Sequence, residues 1–231
     1  MINGKPILMN DEVDSQDISG NLKLDHETRL WREGFKNVAG IDEAGRGSLV
    51  GSVVAAAVVL PQGTFIDGVR DSKALSASKR EVLYEVITHT ALAWGIGIVD
   101  EVMIDKINIK QAARLAMKLA VEDLDIEVDH LLVDAETIPV SIPQTKLIHG
   151  DVVSHSISCA SIIAKVTRDR MCRLWHEEFP DYGIFANKGY CTNEHVEALL
   201  AHGPSPIHRK TFIRKLLLKH ANLTLDLDMQ D

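Results

Sequence analysis

The sequence predicts an α/β fold, a mixed sheet covered by helices. Three observations carry that expectation: an opening set of strand-like segments with a glycine-rich turn between the first two, later short apolar strands separated by segments of helical period, and the absence of any internal repeat.

Residues 1–22 are polar and aperiodic and read as a tail, leading into a helix over Lys23 to Phe35 with Leu30, Trp31 and Phe35 on one side. Val38 to Asp42 reads as a strand. Val53 to Leu60 reads as a second, buried strand, and the turn between them holds Gly45, Gly47 and Gly51, the pattern of a hairpin. Pro61-Gln62-Gly63 ends it. Ser76 is the expected N-cap of a helix that turns Leu83, Val86 and Ile87 inward, and Leu92 to Val99 supplies a third strand. From Asn108 to Leu124, Ile109, Ala112, Ala113, Ala116, Leu119, Ala120 and Leu124 recur at helical spacing. Short strands follow at His130 to Asp134 and Thr145 to Ile148. One long helix is expected from Val152 to about Glu178, its small residues Ser158, Ala160, Ser161 and Ala164 allowing close approach to whatever it covers.

The chain has 231 residues, 45% hydrophobic and 25% charged, enough for one domain with appended helices. The longest apolar run, Val53 to Leu60, is far too short to cross a bilayer, and the acidic N-terminus lacks the pattern of a secretory signal, so a cytoplasmic protein without a membrane partner is expected. Cys159, Cys172 and Cys191 are odd in number and never spaced C-x-x-C, which argues against both a disulfide framework and a zinc knuckle and predicts reduced, structural thiols. A net charge of −8 counts against a polyanionic partner unless cations gather locally. They do so in sequence: Lys165, Arg168, Arg170 and Arg173 fall in one stretch, and Arg209, Lys210, Arg214, Lys215 and Lys219 in another.

Candidate chemistry starts at Gly40-Ile41-Asp42-Glu43-Ala44-Gly45-Arg46-Gly47, where two adjacent acids leave a buried strand and enter a flexible turn. Successive strand residues point to opposite faces, so both carboxylates serve one site only if the strand end twists or one acid reaches around. Taken alone, the pair is more often a solvated loop. Asp134 ends the apolar strand Leu131-Leu132-Val133, and Asp151 follows Gly150 at the start of the long helix, where an ordinary turn acid and an ordinary N-cap are the plainer readings. Together, four acids at the ends of core elements suit hard divalent cations, which prefer oxygen ligands. Two such ions roughly 3.5–4 Å apart can activate water and stabilise a leaving oxygen in phosphodiester hydrolysis.

From about Val38 to Phe212 the chain resembles bacterial ribonuclease HII. The resemblance lies in GIDEAGRG, Asp71-Ser72-Lys73, Ile104-Asp105 with Asn108-Ile109, Asp134 after its strand, Gly150-Asp151, the run Ala160 to Asp169, Asn187-Lys188-Gly189-Tyr190 and His208-Arg209, all in matching order and spacing. It implies an RNase H-like fold, with a five-stranded mixed sheet flanked by helices and a C-terminal helical extension. It also implies a catalytic domain over residues 37–220, preceded by a tail and helix (1–36) and followed by a tail (221–231). The implied metal-binding and catalytic set is Asp42, Glu43, Asp134 and Asp151, with Asp42 bridging two Mg²⁺ or Mn²⁺ ions. Gly45, Arg46 and Gly47 match the motif that reads a ribonucleotide 2′-OH, the group that separates RNA from DNA, and Tyr190 matches the aromatic residue that joins in. Lys73, Lys165, Arg168 and Arg209 are candidates for phosphate contacts, although Lys165 and Asp169 are also spaced for a helical ion pair.

The implied substrates are RNA/DNA hybrids and duplex DNA containing ribonucleotides, acted on by a monomer. Residues 1–37 leave no room for the N-terminal substrate-binding domain of the related type 3 class, and a hybrid-binding module without turnover is disfavoured by the four acids. Some positions depart from the pattern: Ser48 and Ser52 replace usual prolines, Ala135 a glycine, His149 a lysine, Cys159 an alanine and Asn187 a histidine. A looser turn after Gly47 and altered efficiency are expected from these, not a changed reaction.

Overall fold

The computed structural model describes residues 23–70, 72–214 and 216–218. The tails at 1–22 and 221–231, Asp71, Lys215 and Lys219 lie outside the described residues.

Seven consecutive apolar residues form β2 (Val53–Val59), and every one is buried. Such a strand needs cover on both faces, and the sheet around it supplies the order β3-β2-β1-β4-β5. Its other strands are β1 (Val38–Ala44), β3 (Ala93–Val99), β4 (His130–Asp134) and β5 (Gln144–Leu147). β2 runs antiparallel to β1 and β3, while β1–β4 and β4–β5 are parallel, so the sheet is mixed. The fold class is therefore the one expected, and the strand limits agree to within two residues.

Alternate residues of β2 feed two cores. Ala55, Ala57 and Val59 face α4 (Ile109–Glu122), whose Ala112, Ala113, Ala116, Met117 and Ala120 are fully buried. Ala56 and Val58 face α6 (His155–Glu178), through Ala160, Ile162, Ile163 and Ala164, together with Leu83 and Ile87 of α2 (Ala77–Thr90). Val86, expected inward on α2, is exposed instead, because only the Leu83–Ile87 stripe meets α6. α3 (Glu101–Ile107) bridges β3 and α4. Helix starts follow side-chain capping: Ser76 accepts from the Lys79 amide, Asp100 from Met103, and Asn108 from Lys110 and Gln111.

Small residues decide how closely layers approach. A methyl group added at Gly40 in β1 would overlap the backbone of Ser156 and Ile157, and one at Gly97 in β3 would overlap the carbonyl of Ala116 in α4. The central strand thus lies directly against the start of α6.

That start departs from the expected single helix. Residues Gly150–Val153 form a separate turn, α5, and α6 begins only at His155, with Ser154 as its N-cap. Asp151 is therefore not an N-cap; His149 occupies that position with a left-handed φ of 55°. Glu27 of α1 (Asp25–Arg32) reaches across to this corner. Its Oε1 accepts from Ser154 Oγ at 2.6 Å, Ser156 N at 3.0 Å and Ser156 Oγ at 2.7 Å, placing a carboxylate at the positive end of a 24-residue helix. Leu30 of α1 is buried with Val38, Leu132, Leu147 and Ile157, and Trp31 and Phe35 pack beside them.

Beyond α6 come α7 (Ile184–Asn187), α8 (Asn193–His202) and helical residues at 210–214 and 216–218, the C-terminal helical extension. Cys159 and Cys172 are buried and free, whereas Cys191 is free but exposed. Among the described residues no helix is long and apolar enough to cross a membrane.

Replacing Gly40 by alanine forces β1 and α6 apart. The expected loss is about 2–3 kcal/mol, read as a lowered urea midpoint at unchanged slope. A wild-type midpoint would show that the contact has slack.

Candidate active site

The end of β1, the end of β4 and one face of α6 open onto a cavity of about 220 Å³. Asp42, Glu43, Ala44, Gly45, Arg46 and Gly47 line it in succession, with Ser72, Lys73, Asp134, Ser161, Lys165 and Tyr190 completing the wall. The opposite-face difficulty posed by Asp42 and Glu43 is resolved at the strand end. Asp42 lies opposite Ala56, on the α6 side, and Glu43 opposite Ala55, on the α4 side. β1 ends one residue later, so both side chains reach the same opening, and the Glu43 amide donates to Asp42 Oδ1 at 2.7 Å.

Asp134 is joined to the Asp151 corner by one bond, from the Gly150 amide to its Oδ1 at 2.6 Å. Asp151 stands at the margin, its Oδ2 3.9 Å from Lys73 Nζ. Left-handed backbone at Ala135 (φ 50°) and His149 (φ 55°) bends the chain away immediately after β4 and just before α5. Ala135 is the position where glycine was the usual residue, and its φ supplies the reason.

Burial drives the Asp42 carboxyl well above the usual aspartate range, Glu43 and Asp134 push it further, and a hydrogen bond from Ser161 opposes them. Burial also raises Glu43, against Arg46, and raises Asp134, against the Gly150 amide. Arg46 Nη1 lies 3.2 Å from Glu43 Oε1, and its Nη2 3.6 Å from Glu136 Oε1. Glu43 Oε2 is buried with no hydrogen-bond partner. A divalent cation fits this donor set, since hard oxygens crowded by like charge and one orphaned carboxylate oxygen are what such an ion relieves. Among the described residues no three acids, histidines or cysteines converge into a ready-made cage.

The remaining predicted residues divide. Tyr190 is 39% exposed, with its ring edge 3.7 Å from where a Gly47 Cβ would stand, so it faces the pocket rather than packing on the core. Lys73 and Lys165 line the wall, and Lys165 also makes the helical ion pair, 2.6 Å from Asp169 Oδ1.

Arg168 and Arg209 require a correction, because both are fully buried and their hydrogen bonds run to backbone carbonyls. Arg168 donates to Ser52, Lys188 and Val50; Arg209 donates to Gly51 and Arg46. A phosphate cannot reach them, and their work is to hold the loops at 45–52 and 187–190. Burial and the neighbouring Arg168 pull Arg209 down to about 9. Arg170, counted in the same basic stretch, pairs with Glu81 and Glu85. Ser48 also modifies an expectation: its buried Oγ lies 3.0 Å from the carbonyls of Val50 and Gly189, so the turn is held despite the missing prolines.

Three participants escaped sequence reasoning. Ser161 stood among the small residues assigned to packing, Ser72 was noted only as part of a motif, and Glu136 lies just two positions after Asp134.

A family model described as Ribonuclease HII matches residues 39–215. Curated relatives include ribonuclease HII of Alkaliphilus oremlandii, 54% identical over 200 residues that cover 84% of this chain and 98% of the relative. Ribonuclease HII of Bacillus subtilis is 53% identical over 187 residues, covering 81% of this chain and 73% of that one. Among solved structures, ribonuclease H2 from Pyrococcus horikoshii superposes with a TM-score of 0.67 at 26% identity, covering 78% of this chain and 96% of that one.

The raised carboxyls set a linkage with a definite sign. A group whose folded pKa lies above its unfolded value supports folding fully below the unfolded value, about 3.8 for aspartate, and that support is lost as pH rises through the folded value. At neutral pH and without divalent ions, Asp42→Asn is therefore expected to raise Tm, by about 2–4 °C for each kcal/mol of burial and repulsion cost removed. An unchanged or lowered Tm by calorimetry would mean that the cluster carries no net repulsion.

Proposed function

The chain belongs to the ribonuclease HII family, a hydrolase acting on the RNA of RNA/DNA hybrids, and on that footing we propose that its pocket also nicks duplex DNA on the 5′ side of a single embedded ribonucleotide, leaving 3′-hydroxyl and 5′-phosphate ends. The observation that carries this reading is the meeting, in one opening, of acids from two strand ends with Gly45-Arg46-Gly47 and Tyr190.

Asp42, Glu43, Asp134 and Asp151 would hold divalent ions, Mg²⁺ or Mn²⁺, two with substrate bound. When bound, such ions activate a water and stabilise the leaving oxygen. The chain's own groups prepare the site. Asp42 offers a carboxylate already out of water, where its attraction for a cation is strongest, and the 2.6 Å bond from Gly150 keeps Asp134 aimed. Arg46, braced between Glu43 and Glu136, is held at the turn where the 2′-OH would be read by its guanidinium and by backbone groups of Gly45 and Gly47. Tyr190 presents an exposed ring beside that turn, suited to stacking on the adjoining sugar or base. Lys73 and Lys165 would meet phosphates, Lys165 while shared with Asp169.

A labelled duplex with one ribonucleotide is expected to be nicked with Mg²⁺ or Mn²⁺ and to remain whole with chelator or with Asp42→Asn. Uncut substrate under every condition would overturn the proposal. Arg46→Ala is expected to lower kcat/KM on that duplex by about tenfold, the worth of one charge-assisted hydrogen bond. Wild-type kcat/KM would remove Arg46 from recognition.

A further inference from the structure

One short segment, Ile207 to Arg209, is bonded directly to the loop at 46–51 and, through His195, to Tyr190. Arg209 grips the first: its amide donates to Leu49 O at 2.8 Å and its guanidinium to Gly51 O and Arg46 O. His208 turns the other way. It is buried, as is His195 of α8, and neither takes part in the hydrolysis described above.

The sense of the bonding between them is set by its two ends. The Ser205 amide can only donate, and it does so to His208 Nδ1 at 3.0 Å, with the Ser205 hydroxyl 2.7 Å from the same nitrogen. A neutral imidazole has one donor and one acceptor, so His208 Nε2 carries the proton and donates to His195 Nε2 at 3.2 Å. His195 is then left with Nδ1–H, which donates to the Tyr190 carbonyl at 2.9 Å. A carbonyl can only accept, so the far end agrees with the near one. Burial keeps both rings neutral, lowering His195 and bringing His208 to about 4. The Tyr182 ring packs edge-on against His208, 4.8 Å between centroids, and closes the chain off from water.

We propose that His208 and His195 are positioning residues, a one-directional relay of neutral imidazoles that sets where Tyr190 stands relative to Arg46. The relay rests on the reading of Tyr190 as a substrate contact. Through His208 and its neighbour Arg209, one segment spaces the aromatic and the basic arm of the pocket, and substrate meets two preset arms.

The test exploits the geometry of the donor. The amide nitrogen of asparagine stands where Nδ1 stood and keeps the bond to Tyr190, whereas leucine fills the space and gives none. With a duplex carrying one ribonucleotide and Mg²⁺, His195→Leu is expected to lower kcat/KM by about tenfold, and His195→Asn to recover it to within about threefold of wild type. In a Tyr190→Ala background, His195→Leu should cost nothing further. If His195→Leu does not fold, the same comparison moves one link upstream. His208→Gln keeps a donor at the Nε2 position and His208→Asn loses it, so the glutamine variant should be the more active.

Equal losses in the paired variants, or an undiminished His195→Leu loss without the Tyr190 ring, would overturn the relay alone. A Tyr190→Ala enzyme with wild-type kcat/KM would instead remove Tyr190 from substrate binding, and the relay's role with it.

Discussion

Asp42 holds a carboxylate almost wholly out of water at the end of the central strand, with Glu43 and Asp134 beside it, and a cluster of like charges in that place pushes apart the elements that carry it. Burial first, and charged neighbours after it, raise each of these carboxyls. The rest of the structure is arranged to withstand it. β2, buried on both faces, backs β1 along its length, and Gly40 lets α6 lie directly on the strand. Rigid packing keeps the acids together where water would otherwise separate them.

A second buried charge system lies under the opposite wall. Arg168 and Arg209 place two guanidiniums beneath the Gly45–Gly47 turn and the Tyr190 loop, bonded to carbonyls and with no carboxylate among their hydrogen-bond partners. Carbonyl dipoles satisfy much of their bonding capacity without cancelling their charge. A chain of net charge −8 thus carries fixed positive charge close below the surface that is proposed to receive a polyanion. The same side chains that prevent loop movement also temper the acidity of the pocket's surroundings.

Much of the fold was legible because the sheet and helices obey simple periods. The apolar run of β2 and the alanine stripe of α4 were read to within a residue or two. The break between α5 and α6 was not, because Ser154 sits in a run of small polar residues that continues the helical pattern, and only the partner it finds, Glu27, marks it as a cap. Arg168 and Arg209 looked like surface cations because their count and clustering say nothing of depth. Their carbonyl partners lie about 20 to 160 residues away in the chain, beyond the reach of any local pattern. The candidate site was legible by resemblance more than by spacing: the Asp42–Glu43 pair alone pointed first to a loop, and its shared opening depends on where β1 happens to stop.

The carboxylate of Glu27 gives the N-terminal helix a bearing on the chemistry far downstream. The family match begins at residue 39, after Glu27, yet that one oxygen holds Ser154 and Ser156, and Ser158 in turn donates to the carbonyl of Asp151 at 2.7 Å. A fragment trimmed to residues 39–215 would retain every acid of the pocket and lose the brace behind one of them. For this molecule, the edge of the family-model match is not the edge of the bonded structure around the pocket.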